Sequence, residues 1–223
     1  MVWGVVQFPG SCDERDAVHA CGLAGEARLI WHEERALGGV DAVVIPGGFS
    51  YGDYLRAGAI ARFSRAMEAV AEFAAGGGPV LGICNGFQVL CEAGLLPGAL
   101  LRNENLRFVC RQVDLIADGA RQSPFLREIE PGERLSIPVK HGEGRYYAPE
   151  EMLDEIEANG QVAFRYAPGQ NPNGSLRDVA GVLNEGGNVL GLMPHPEHAV
   201  DPLTGSVDGL KLFSAASSAL ANA

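Results

Sequence analysis

Residues 79–90 read PVLGICNGFQVL, and they place a cysteine, Cys84, between Gly82 and Gly86 where an apolar run gives way to a helical pattern. Glycine inside a regular element costs roughly 0.5–1 kcal/mol relative to alanine. The pair therefore predicts a sharp bend. G-x-C-x-G directly after an apolar strand and before a helix is the nucleophile-elbow pattern with sulfur in place of oxygen. Such a bend projects the side chain from the top of a sheet. The helix that follows aims its free N–H groups at the sulfur, where they favour a thiolate and can hold a developing oxyanion. A buried cysteine in a tight strand-to-helix turn fits the same residues, and with 30 glycines in the chain the spacing alone does not separate the two readings.

Outward from this stretch the first half alternates strands and helices. VWGVVQF (2–8) ends at Pro9-Gly10 and reads as a buried strand. Ser11 to Cys21 has helical spacing, with Asp13 and Glu14 in its first turn at the positive end of the helix dipole. ARLIWHE (27–33) and DAVVIPGG (41–48) are further strands. Residues 58–75 repeat apolar positions at three and four and stop at Gly76-Gly77-Gly78, a helix with a glycine exit. PVLGIC is the fourth strand, and FQVLCEAG (87–94) the helix after it. This alternation predicts a central, mostly parallel sheet flanked by helices, an α/β fold. The second half reads as strands at 108–117, 134–141, 161–167, 179–185 and 188–195, which extend the sheet or add an antiparallel ribbon. Helices are expected at 149–160 and 207–221.

Composition sets the outer limits. The 223 residues are 47% hydrophobic, and their mean hydropathy is +0.04. That supports one large core, so one domain over residues 1–223 is expected. No apolar stretch approaches the ~18 residues of a membrane span. The N-terminus MVWGVVQFPG lacks a basic region before its apolar run, so no signal peptide is expected. A net charge of −11 argues against nucleic-acid or anionic-membrane partners. The five cysteines, at 12, 21, 84, 91 and 110, form no CxxC pair, which favours reduced thiols in a cytoplasm over a disulfide framework or a zinc site. Cys21, Cys91 and Cys110 fall in helix or strand patterns, as small buried hydrophobes do. Neither GxxxxGK[ST] nor GxGxxG occurs, so any ATP the reaction consumes is expected on another chain.

A thiolate nucleophile needs a base, usually histidine, oriented by an acceptor. His19, His32 and His198 read as solvated. His195 stands in LMPHPE (192–197), where an apolar strand ends between two prolines. His195 and Glu197 are two residues apart, so an extended backbone points both side chains to one side. A polar loop at a strand end is the alternative. The third segment is VIPGGFSYGD (44–53), whose Gly47-Gly48 turn can bring a backbone N–H close to a substrate, or be a plain glycine turn. All three segments follow strand ends, the edge at which open α/β sheets bind ligands.

PGG (46–48), GICNGFQ (82–88) and PHPE (194–197), in this order, resemble the class I (triad) glutamine amidotransferases, in which Cys, His and Glu follow one another along the chain. Dienelactone-type hydrolases with a G-x-C-x-G elbow place an acid before the histidine. GGFSYGDYLRAGAIA (47–61), ICNGFQVL (83–90), RNENLRFVCR (102–111), PVKHGEGRY (138–146) and NPNGS (171–175) resemble one branch of that family, the glutaminase subunits of phosphoribosylformylglycinamidine synthases. The chain departs from the branch at Ser11-Cys12-Asp13, where an asparagine commonly precedes the Cys–Asp pair.

The resemblance implies that Cys84 attacks the glutamine amide, with His195 as proton carrier and Glu197 orienting it. It implies an oxyanion hole from the backbone N–H groups of Gly48 and Asn85, and substrate contacts from Gly47, Gln88 and His141. It implies no metal and no cofactor in this chain, with ATP and magnesium on a partner synthetase subunit and a small accessory subunit as a further partner. The rival readings are a free-standing cysteine hydrolase of γ-glutamyl or peptide bonds, and a scaffolding homologue with a silent site.

Overall fold

The computed structural model describes residues 1–118 and 122–221. The first half builds β1 (Val2–Gln7), α1 (Glu14–Gly22), β2 (Glu26–Trp31), β3 (Ala42–Ile45), α2 (Arg65–Ala75), β4 (Val80–Ile83) and α3 (Asn85–Glu92). The second half adds β5 (Ala99–Leu101), β6 (Val109–Ala117), β7 (Arg134–His141), β8 (Arg145–Tyr147), α4 (Glu150–Ala158), β9 (Val162–Tyr166), β10 (Val179–Leu183), β11 (Val189–Leu192) and α5 (Leu210–Ala221).

Nine of these strands form one sheet in the order β2-β1-β3-β4-β11-β10-β9-β6-β7. The five from β2 to β11 pair in parallel, and β10, β9, β6 and β7 continue the sheet antiparallel. Every residue of β3, β4, β10 and β11 is buried, because helices and loops cover both faces of the sheet there. Such strands read as continuous apolar runs without alternation. β5 and β8 form a separate two-stranded ribbon. At three residues each they are too short to show a period in the sequence.

Several helix starts differ from the sequence reading: α3 begins at Asn85, two residues before Phe87, and α5 at Leu210, three after Val207. Two further differences have a cause in the packing. The helix expected from residue 58 begins at Arg65, where Ser64 caps it by accepting a hydrogen bond from the Met67 N–H at 3.3 Å. Upstream, Gly58 adopts φ +79°, and a Cβ there would lie 2.7 Å from the backbone nitrogen of Val89. That stretch lies against α3 instead of joining α2. The helix expected from Ser11 begins at Glu14, because the N–H groups of Cys12 and Asp13 donate to the Gly47 carbonyl at 3.1 and 3.2 Å.

Strand order explains why the three glycine- and proline-marked segments meet. β3, β4 and β11 are parallel neighbours, so Gly47, Cys84 and His195 leave the sheet at one edge. β7 lies at the far side of the sheet order, yet its end returns to the same place: the His195 N–H donates to the Pro138 carbonyl at 2.8 Å. Proline suits an edge strand, where its missing N–H costs no ladder bond. Among the described residues no helix is long and apolar enough to cross a membrane.

Candidate active site

Cys84 occupies the bend between β4 and α3 at φ 50°, ψ −104°, a conformation that side-chain-bearing residues rarely adopt. The flanking glycines make the bend possible for a packing reason. A Cβ at Gly82 would lie 2.5 Å from Leu90 Cδ1, and one at Gly86 would overlap the Ile45 carbonyl oxygen. α3 therefore rests directly on β3 and β4, with its first N–H groups beside the cysteine. Those groups lack partners inside the helix, and the Asn85 N–H is the first of them. The Cys84 Sγ lies 3.8 Å from the Lys140 carbonyl oxygen.

His195 is 1% exposed. Its Nδ1 is 2.6 Å from Glu197 Oε1, and its Nε2 is buried without a hydrogen-bond partner among the described residues. Glu197 thus fixes the ring with Nδ1 protonated and leaves Nε2 to exchange a proton. Burial disfavours the charged ring, but the negative charges of Glu197 and Cys84 outweigh it and push the His195 pKa up to about 10. The protonated ring is the form this environment favours.

Both residues line a cavity of about 520 Å³ together with Gly48, Gln88, Lys140 and His141. Gly48 adopts φ +144°, and a Cβ there would lie 2.6 Å from the Cys12 nitrogen. Gly47 is equally constrained, since a Cβ would overlap Asp13 Oδ2 and lie 2.8 Å from His195 Cε1. Gln88 lines the cavity with both ends of its amide engaged: Oε1 accepts from Asn85 Nδ2 at 2.9 Å, and Nε2 donates to the Glu143 carbonyl at 2.5 Å. Asn85 also accepts from the Ser50 N–H at 3.0 Å and donates to Asp53 at 3.1 Å, which ties α3 to the glycine loop.

His141 is buried, and burial followed by the charge of His195 lowers its pKa to about 3, so it is neutral. Asn173 Nδ2 donates to its Nε2 at 2.9 Å. The amide orientation follows from Asn173 Oδ1, which accepts from the Ser175 N–H at 3.0 Å. The His141 proton therefore sits on Nδ1, a buried donor with no partner among the described residues. Asn103, wholly buried, holds this segment by donating to the His141 carbonyl at 2.9 Å and accepting from the Gly144 N–H at 3.0 Å.

Three residues have a place here that the sequence reading did not give them. Asp13 is the N-cap of α1, but its carboxylate makes no capping bond and turns inward, 4% exposed, onto Lys140 Nζ at 2.5 Å. His198, expected to be solvated, is half-buried, with Nε2 2.9 Å from Lys140 Nζ and 3.3 Å from Asp13 Oδ1. Asp53, in a loop of left-handed residues, has its pKa raised to about 6, chiefly by burial. Elsewhere, His32 is half-buried against the Tyr51 hydroxyl at 2.6 Å, and Cys110 is exposed, not part of the core. Asp13, His195, Glu197 and His198 hold their donor atoms within 4.8 Å of one another, a spacing that could suit a metal ion. Lys140 supplies a cation there already.

A cysteine on an elbow, a histidine tied to a glutamate and a glycine-lined cavity at the carboxyl edge of a parallel sheet suit the class of triad amidotransferases. The chain belongs to that class: the CobB/CobQ-like glutamine amidotransferase domain family matches residues 3–216. It is 57% identical over 220 residues to the phosphoribosylformylglycinamidine synthase subunit PurQ of Salinibacter ruber, covering 95% of this chain and 93% of that protein. It is 56% identical over 230 residues to the same subunit of Streptomyces avermitilis, covering 99% and 98%. Among solved structures, PurLQS from Thermotoga maritima matches with a TM-score of 0.88 and 44% identity over 96% of each chain. A glutamine amidotransferase from the same organism shares the fold, with a TM-score of 0.57 and 19% identity over 88% of this chain and 76% of that one.

Proposed function

We propose that this chain is the glutaminase subunit of phosphoribosylformylglycinamidine synthase, which hydrolyses glutamine and passes ammonia to an ATP-dependent synthetase subunit in purine biosynthesis. The observation that carries the reading is His195: Nδ1 bound to Glu197, Nε2 free, beside an elbow cysteine in one cavity.

Each step follows from that arrangement. The Cys84 thiolate attacks the side-chain carbonyl carbon of glutamine, and the electron pair of the C=O bond moves to oxygen. The N–H groups of Asn85 and Gly48 stabilise that oxyanion. The His195 imidazolium gives its Nε2 proton to the amide nitrogen, the C–N bond breaks, and ammonia leaves a γ-glutamyl thioester on Cys84. Water then attacks the thioester while Nε2 takes its proton. The C–S bond breaks, glutamate leaves, and the thiolate–imidazolium pair is restored. Glu197 keeps Nδ1 protonated throughout. Gly47 leaves room for His195, while Gln88 and His141 shape the glutamine pocket, His141 through its Nδ1–H.

Residues 1–223 act as one amidotransferase domain in a cytoplasmic complex, with ATP and magnesium on the synthetase subunit and a small accessory subunit alongside. The lack of GxxxxGK[ST] and GxGxxG supports this division. A free-standing cysteine hydrolase could use the same triad; the near full-length similarity to PurQ subunits favours the subunit role. The test is reconstitution with the synthetase. Glycine-rich loops form much of the pocket wall, and a partner can reshape them, so the isolated chain should hydrolyse glutamine slowly and the complex faster. Cys84→Ala should abolish glutamine-dependent synthesis while ammonium salts still support it. Loss of both activities would mean that Cys84 serves assembly.

A further inference from the structure

His195 faces more charge than its glutamate supplies. Glu197 Oε1 lies 2.6 Å from Nδ1, and Asp13 Oδ2 approaches the same nitrogen at 3.7 Å. Asp13 arrives from the turn before α1, far from the triad in sequence. Its other oxygen holds Lys140 Nζ at 2.5 Å, across 127 residues of chain. Lys140 in turn faces His198 Nε2 at 2.9 Å, and its own carbonyl oxygen faces Cys84 Sγ. Gly47 lies under the contact between Asp13 and His195, where any side chain would force the two apart. His198 also lies 3.5 Å from Glu197 Oε1, with its ring centre 5.5 Å from that of His195. The other titratable neighbours are Cys12 beside Asp13, whose thiol burial and then Asp13 push up, His141 from β7, which burial keeps neutral, and Cys21 from α1, whose thiol burial and then Glu197 push up.

A buried carboxylate beside Nδ1 favours the imidazolium, and a cation on that carboxylate offsets it. Both effects bear on the reaction. The ring must hold a proton while the thiolate attacks, then release it to the leaving nitrogen. We propose that Asp13 and Lys140 are positioning residues that set the proton affinity of His195, Asp13 raising it and Lys140, as the counter-ion of Asp13, limiting the rise. Burial pushes the Asp13 carboxyl up, but the contact with His198, the hydrogen bond from Lys140 and the nearby positive charges outweigh it, and the group stays well below the usual carboxylate range. Asp13 thus keeps its charge at neutral pH. The role deepens the glutaminase reading and rests on it for its catalytic meaning.

The test is the titration of His195 in the full chain, read from the ring ¹³Cε1 shift of histidine-labelled protein and assigned with His195→Asn. Asp13→Asn should move the midpoint down by about 1–3 pH units, and Lys140→Met should move it up, as expected for a charge within ~4–6 Å. Lys140→Arg should keep it near the native value. Opposite directions are the signature, because loosening of the fold would shift both variants the same way. Either variant titrating as the native chain does, or both moving together, would overturn the proposal. No glutamine or synthetase enters the measurement, so a chain that failed as a glutaminase would still give a clear answer here.

Discussion

At the scale of single residues the proposed mechanism divides the labour around one imidazole. In it Glu197 orients Nδ1 without moving a proton, whereas His195 transfers one at each step. General acid–base assistance is worth roughly 10²–10⁴-fold, so His195→Ala should cut glutamine turnover at least about a hundredfold. Glu197→Gln should cost less, and steady-state kinetics on the reconstituted complex check both. A Glu197→Ala enzyme of unchanged turnover would remove Glu197 from the triad. His141 gives a separate, thermodynamic prediction. Burial holds its folded pKa near 3, against about 6.5 in an unfolded chain. Below pH 6.5 the unfolded chain takes up a proton that the folded one refuses, so this residue's contribution to stability falls as the pH drops from about 6.5 toward 3. The native chain should lose up to about 1.4 kcal/mol per pH unit relative to His141→Gln across that window, measured by urea unfolding. Parallel stability curves for the two would show that His141 charges freely in the folded state.

At the scale of elements the elbow depends on how closely α3 can approach the sheet. Gly86 touches the β3 backbone at Ile45, and no side chain there can rotate away from the Ile45 carbonyl. Gly86→Ala should therefore lift α3 and cost about 1–3 kcal/mol, as overpacking a tight core does. Because Cys84 and the Asn85 N–H move with the helix, turnover should fall as well. Denaturant unfolding and glutaminase assays of the same preparation test this, and unchanged values in both would contradict the packing role. The strand–bend–helix reading at 79–94 was legible because Gly82 and Gly86 interrupt an apolar run. The start of α2 was not. Residues 58–63 carry helical spacing, but Gly58 packs against the α3 backbone, and tertiary packing of that kind leaves no local pattern; the Ser64 cap then starts α2 through the Met67 N–H of that helix.

At the scale of the whole molecule the site is a product of strand order. β3, β4 and β11 are neighbours although about a hundred residues separate β4 from β11. The meeting of Cys84, His195 and Glu197, the proposed triad, was legible in the sequence because each of their segments closes an apolar strand with glycine or proline. That of Asp13 and Lys140 was not, since the partner of each lies on a remote element and nothing in SCDERD or KHGEGRY shows the ammonium meeting the carboxylate. The assembled cavity also sets the most stringent test of the central claim, that Cys84 is the nucleophile. Cys12 lines the same cavity and is more exposed than Cys84, but burial and the neighbouring Asp13 raise its pKa. A glutamine-mimicking diazo-ketone should therefore find one reactive thiol among five. Mass-mapped labelling should fall on Cys84, be blocked by glutamine and leave Cys12, Cys21, Cys91 and Cys110 unmodified; label on Cys12, or spread over the five, would contradict Cys84 as the nucleophile.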